Sequence, residues 1–211
     1  MKLRSKQNLI AVDGVDGAGK STALKTISEY LAKRFPKKVT NVAEGAIFND
    51  FSRDVKSLIY RHKQNGISHD VLYNLYRAIW VDTWQKFGKQ IDNKEMFLVT
   101  DRWLLSTAVY QASSNESQWH LMAATQSIPG LTFLMKVSEV VAVKRILAGR
   151  GELDVFEKEY FAKHDQIQNE FIKKSDVFCD KVVIIDTDNL SKEQVSELII
   201  KELDEYFKDY V

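Results

Sequence analysis

Residues 10–27, IAVDGVDGAGKSTALKTI, contain Gly14, Gly17 and Gly19, three of the nine glycines in a chain of 211 residues, followed at once by Lys20, Ser21 and Thr22. Glycine lets a backbone turn tightly and approach a ligand with no side chain between them. The interval from Gly14 to Gly19, then Lys20 and Ser21, fits G-x-x-x-x-G-K-[ST], the phosphate-binding P-loop. In such a loop the backbone from Gly14 through Gly17, Ala18 and Gly19 to Thr22, with a helix N-terminus, donates N–H groups to phosphate oxygens. Lys20 adds a point charge on the β- and γ-phosphates, and the Ser21 hydroxyl is placed to ligate magnesium. A plain glycine-rich turn capped by Ser21 would need no ligand, so the reading requires a strand before the loop and a helix after it. Both are present in the pattern: Leu9, Ile10, Ala11 and Val12 form a buried-strand run, while Ala23, Leu24, Ile27 and Leu31 recur at helical spacing.

A second pair able to do chemistry is Asp101-Arg102, at the end of the apolar run EMFLVTDRW, 95–103. A carboxylate at a strand end beside a P-loop can hold magnesium, and an adjacent arginine can grip a phosphate with two parallel bonds. The same two residues could also be a surface ion pair or a helix cap.

To bring the two segments together the chain needs a sheet. Further strands are expected over 37–45, 131–137 and 181–188, and helices over 50–63, 70–90, 138–149, 155–175 and 191–207. Strands and helices alternate, which predicts an α/β fold with a five-stranded parallel sheet covered by helices on both faces. Ligands of such sheets bind at the carboxyl ends of the strands, where residue 13 and Asp101 both fall. There is no internal repeat and no linker-like tract, so one domain over 1–211 is expected.

Composition adds limits. A chain 45% hydrophobic and 28% charged can bury one sizeable core, and a net charge of +1 gives no reason to expect a nucleic-acid or acidic-membrane partner. Cys179 stands alone, which rules out an internal disulfide and suggests a reducing compartment. The start, MKLRSKQNLIAV, has too short an apolar run for a signal peptide, and a cytoplasmic location is expected. His62, His69, His120 and His164 are scattered and lack metal-ligand spacing.

DGVDGAGKST together with DRWLLSTAVYQ resembles the thymidylate kinase family, whose loop has the form G-x-D/E-G-x-G-K-S/T-T and whose second segment reads D-R-Y-x-x-S-x-x-A-Y-Q. Asp101, Arg102, Ser106, Tyr110 and Gln111 match that segment, with Trp103 in place of its tyrosine. LYNLYRA resembles the family helix that carries an aromatic and an arginine four residues apart, here Tyr73 and Arg77, and KRILAGRGELD resembles the family's arginine-bearing lid, about 145–156. The resemblance implies a P-loop NTPase fold with a small lid, ATP as donor, Mg2+ as cofactor, dTMP as acceptor, and a homodimer. It implies that Lys20, Asp101, Arg102 and a lid arginine, Arg145 or Arg150, act in catalysis, with Ser21 and Asp101 toward the metal. It further implies that Arg102 and Arg77 hold the acceptor phosphate, Tyr73 stacks on the base, Asp16 faces the 3′-hydroxyl, and Tyr110 lies where a 2′-hydroxyl would clash. Spacing alone also fits Tyr73 as a core residue beside Leu72 and Tyr76, and Arg150 as a surface partner of Glu152 or Asp154.

Departures from the family pattern concern the acceptor. An arginine-proline element usually follows the second strand, but here the region reads AEGAIFNDFSRD, with Arg53 as its first arginine. Either Arg53 takes the role or acceptor binding is rearranged. Lys136 stands where an acidic residue is common, and Gly17 where some members place a P-loop arginine. A broader deoxynucleoside monophosphate kinase or a deoxynucleoside kinase is therefore an alternative, and a nucleotide-binding switch is one of another class. Against the switch, the nearest match to the guanine motif N-K-x-D is Asn93-Lys94-Glu95-Met96, which lacks the aspartate.

Overall fold

Ser5–Gly14 forms the central strand, β1, and its residues 9–12 are fully buried, as an apolar run flanked on both sides by other strands must be. The structure is a computed structural model that describes residues 5–43, 47–63, 66–111, 117, 127–153 and 155–210. After β1 come α1 (Lys20–Arg34), β2 (Val39–Ala43), α2 (Asp50–Lys63), α3 (His69–Asp92), β3 (Met96–Asp101) and α4 (Leu104–Tyr110). They are followed by β4 (Ile128–Lys136), α5 (Glu139–Arg150), α6 (Val155–Phe161), α7 (His164–Phe178), β5 (Lys181–Asp186) and α8 (Lys192–Tyr206).

The five strands lie in the order β2-β3-β1-β4-β5, and every pairing is parallel. From β1 the chain runs to β2 at one edge and back to β3, then crosses to β4 and β5 on the other side of β1, and the carboxyl end of β1 is the crevice where such a parallel sheet takes its ligand. Register puts Val12 opposite Asp101, so the loop after β1 and the pair Asp101-Arg102 emerge side by side. Among the described residues no helix is long and apolar enough to cross a membrane.

The differences from the sequence pattern have local causes. The β1 strand begins at Ser5, earlier than its apolar run, because Ser5 and Lys6 still pair with Ile128 and Pro129 of β4. The β4 strand begins at Ile128 although Pro129 and Gly130 look like a turn; a Cβ on Gly130 would meet Tyr206 and the backbone of residues 6 and 7, so close packing of strand and helix requires glycine there. The expected helix over 155–175 is two helices, α6 and α7, with the break at residues 162–163. That break lets Phe161 and His164 both be buried, their rings stacked at 5.8 Å. The α4 helix, with seven residues, is too short to show a period of 3.6 in sequence.

Candidate active site

Gly14 ends β1 at φ +133°, and a Cβ there would lie 2.3 Å from the Met135 carbonyl oxygen of β4, so only glycine fits. Gly17, at φ +79°, has its missing Cβ 2.7 Å from the Ala142 oxygen, which seats the loop against α5. Gly19 caps α1 in the left-handed region, and no side chain caps the helix. The first amides of α1 thus face a ligand position, the arrangement that binds phosphate. Lys20 is buried, and its ammonium donates to the Val15 carbonyl at 2.9 Å and to Asp16 at 3.2 Å.

Arg102 holds a backbone conformation, φ +72°, that costs a non-glycine residue of order 1 kcal/mol or more. It is fixed there by its N–H to Val12 and by the Thr100 hydroxyl to its own carbonyl. The turn sends its guanidinium back over the P-loop, onto the Gly14 carbonyl at 3.3 Å, Ser106 at 3.2 Å and Asp16 at 2.5 Å. Asp16 is thereby shared by Lys20 and Arg102. Burial alone would raise its carboxyl, but the two cations outweigh that and hold it well below the usual carboxylate range.

Below this layer lies Asp13, fully buried, which accepts from the Ser106 hydroxyl at 2.5 Å through Oδ1 and has no partner on Oδ2. Desolvation pushes its carboxyl up to about 6, although Ser106 and Arg102 favour the charge. The Oδ1 of Asp101 is likewise buried without a hydrogen-bond partner, and Asp101 lines the same cleft as Ser21.

That cleft, about 960 Å³, runs from the P-loop residues Gly17, Gly19, Lys20, Ser21 and Thr22 past Arg145 and Arg150 to Leu190–Lys192 and Val195. Arg145 is held by Thr187, at 2.8 and 2.6 Å, and by the Gly17 carbonyl at 3.3 Å, so it ties the P-loop to the segment after β5. Arg150 ends α5 and pairs with the buried Glu157 of α6, rather than with Glu152; Asp154 lies outside the described residues. A narrower cleft of about 110 Å³ opens beside it, walled by Tyr76, Trp80, Ser106, Tyr110, Gln111 and Tyr160. Tyr110 packs against Tyr160, ring centres 4.8 Å apart, and burial pushes its phenol up to about 12. Asp16, Lys56, Tyr60 and Arg102 line both clefts, so the two meet at those four residues.

Not every expected residue is drawn in. Tyr73 is 4% exposed and packs in the core, and neither cleft includes it. Arg77 lies farther round α3, in a shallow depression with Phe51, Asn74, Val81 and Asp82, and neither cleft includes it. Arg53 is 60% exposed on the outside of α2, paired with Asp50, and reaches neither cleft. Residues 44–46, in the region that lacks the arginine-proline element, lie outside the described residues. Sequence reasoning missed Asp13, Lys56, Tyr60, Tyr76, Trp80 and the Thr187–Val195 wall. One signal was available: Ser52, Val55, Lys56 and Ile59 are the buried stripe of α2, and a lysine at helical spacing within an apolar stripe is out of place on a solvent face.

A family model described as thymidylate kinase matches residues 12–199. A thymidylate kinase of Lactobacillus helveticus is 26% identical over 199 residues, covering 90% of this chain and 92% of its own. A probable thymidylate kinase of Metallosphaera sedula is 28% identical over 153 residues, covering 72% and 71%. Among solved structures, thymidylate kinase from Candida albicans matches with a TM-score of 0.70 at 18% identity, covering 100% of this chain and 96% of its own. That from Ehrlichia chaffeensis gives 0.67 at 17% identity, covering 95% and 97%.

Proposed function

The chain belongs to the thymidylate kinase family, and from that premise we propose that it transfers the γ-phosphoryl group of ATP to dTMP, giving dTDP and ADP. The observation that carries the proposal is the junction of the two clefts, where Arg102 and Asp16 stand between a P-loop and an aromatic-walled pocket. Two nucleotides placed in the two clefts would meet phosphate to phosphate there, and phosphoryl transfer needs little beyond such alignment and charge neutralisation.

On this reading the larger cleft takes ATP. Lys20 and the α1 amides hold its β- and γ-phosphates, and Arg145 keeps the Thr187 wall closed against the P-loop. Arg150, at the mouth, places positive charge where the γ-phosphoryl group moves; the expected lid thus begins as the last turn of α5, stopped by Gly151 at φ +82°. The buried, unpartnered Asp101 Oδ1 and the Ser21 hydroxyl suit magnesium, a hard cation that takes few protein oxygens and neutralises phosphate charge when bound. In the narrower cleft Arg102 grips the acceptor phosphate, Tyr110 lies against the deoxyribose, and Asp16, freed from Arg102, accepts from the 3′-hydroxyl. Tyr76 and Trp80 supply the ring surface for the base, the part first expected of Tyr73. A cytoplasmic location and a homodimer belong to the same proposal.

The test is a coupled assay of ATP consumption against nucleosides and nucleoside monophosphates. Turnover is expected with dTMP above the other monophosphates and not with thymidine. Turnover of thymidine without dTMP would make the enzyme a nucleoside kinase, and equal turnover of all deoxynucleoside monophosphates would remove the base preference.

A further inference from the structure

Lys56 projects from the buried stripe of α2 to the point where the two clefts meet. Its residue is 9% exposed, and its ammonium donates to the Tyr76 hydroxyl at 3.3 Å while lying 5.3 Å from the ring centres of both Tyr60 and Tyr76. Among the described residues no carboxylate comes within ion-pair distance of it. Asp16, which lines both clefts with Lys56, is engaged by Lys20 and Arg102.

Taking a lysine out of water without a counter-charge is costly, and such groups are normally paired or neutralised. Burial pushes this ammonium down and outweighs the support it receives from Tyr60, Asp101 and Asp16, while Arg102 adds like-charge repulsion. An anion arriving between the two cations would offset both with a counter-charge. Lys20 and the α1 amides serve the phosphates of the larger cleft, whereas Lys56 and Arg102 are the two cations that also border the narrower one.

We propose that Lys56 is a binding residue for the phosphate of the acceptor nucleotide, supplying with Arg102 the second positive charge that Arg53 and Arg77 do not bring to the site. Its ammonium donates to a phosphate oxygen while the hydroxyl of Tyr76 keeps it turned toward the junction. This rests on the reading of the narrower cleft as the acceptor site.

The experiment is calorimetric titration of dTMP, thymidine and ATP into the wild type and into Lys56→Met, Lys56→Gln and Lys56→Arg, with steady-state kinetics alongside. One charge-assisted hydrogen bond to a buried group corresponds to roughly a ten- to hundred-fold change in affinity. The Met and Gln variants are expected to lose about that much for dTMP, as a rise in both Kd and KM, while thymidine and ATP bind as before; Arg is expected to retain most of the binding. An equal loss for thymidine and dTMP would make Lys56 a packing residue, and a selective loss for ATP would assign it to the donor; either overturns the proposal. So would unchanged dTMP affinity in a variant whose thermal unfolding matches the wild type. Failure of the acceptor reading itself would show first in the wild type, which would then bind no dTMP.

Discussion

The donor half of the site is a continuous piece of chain, and the acceptor half is assembled from helix faces. From Gly14 to Thr22 every group that the motif names is the backbone itself or a side chain next to it, and Asp16, Gly17, Gly19, Lys20, Ser21 and Thr22 line one cleft. Around the narrower cleft the groups come largely from α2, α3, α4 and α6, and the side chains expected there from α2 and α3 are absent from its walls, which carry instead neighbours three residues on: Lys56 rather than Arg53, and Tyr76 rather than Tyr73. Successive residues on a helix point 100° apart, so a small error in the position of the facing helix changes which side chain enters a pocket. A turn that must bind phosphate with its own N–H groups has no such freedom. Specificity for the acceptor is therefore the part of this enzyme more open to change, and chemistry on the donor the part less so.

The largest effect should come from the fixed half. On the proposed function Lys20→Ala removes the charge that serves the β- and γ-phosphates, together with its bonds to the Val15 carbonyl and Asp16, so kcat is expected to fall by about 10³-fold or more with the fold retained. Residual activity within tenfold of the wild type would place phosphate binding elsewhere.

Next comes Arg102→Ala, where the halves join. It should lower kcat/KM for dTMP by roughly 10²–10³-fold and leave the ATP dissociation constant within a few fold, since Arg102 is not the P-loop's own cation. A loss confined to ATP affinity would move the boundary between the halves to the wrong side of Arg102.

How far the sequence discloses this molecule follows the same division. The five-stranded parallel sheet was legible because its strands are apolar runs separated by helical stripes, and the P-loop because its glycines are irreplaceable where the chain crowds Met135 and Ala142. Asp101-Arg102 could be placed because a strand end fixes direction, though the left-handed backbone that turns Arg102 inward left no mark in its residue type. Arg77 could not be placed: its spacing from Tyr73 puts both on one face of α3, but which face meets the pocket depends on how α2 and α3 pack, a contact far apart in sequence. Asp13 carries no mark in the sequence beyond following an apolar run, yet it is a fully buried carboxylate under the site.

Asp13 gives a third prediction, smaller and measured in stability. Its folded-state value of about 6 stands above the ordinary 3.8, so the folded protein holds a proton that the unfolded chain releases between those values. This group therefore adds stability below about pH 4, and the contribution is lost as pH rises to 6. Asp13→Asn keeps an acceptor for Ser106 and cannot ionise. Relative to the wild type it should gain nothing at pH 4 and roughly 2–3 kcal/mol above pH 6.5 in urea unfolding. A difference that stays flat between pH 4 and 7 would mean that Asp13 is not desolvated as the fold implies.

The smallest effect separates two tyrosines of the same helix and bears most directly on the movable half. Tyr73 and Tyr76 both lie on the inner side of α3, but Tyr76 stands beside Lys56 and Trp80 in the narrower cleft, while Tyr73 is about a turn nearer the start of the helix and within the core. Replacing either by phenylalanine keeps the ring and removes one hydroxyl. For Tyr76→Phe the loss is the hydrogen bond that turns Lys56 toward the junction, worth about 1 kcal/mol, so KM for dTMP should rise about fivefold with kcat for saturating dTMP little changed. For Tyr73→Phe both constants should stay within twofold, whatever the change in stability. If instead Tyr73→Phe raises KM and Tyr76→Phe does not, the hydroxyl that serves the acceptor site is that of Tyr73, the residue the family spacing names, and α3 must turn when the nucleotide binds.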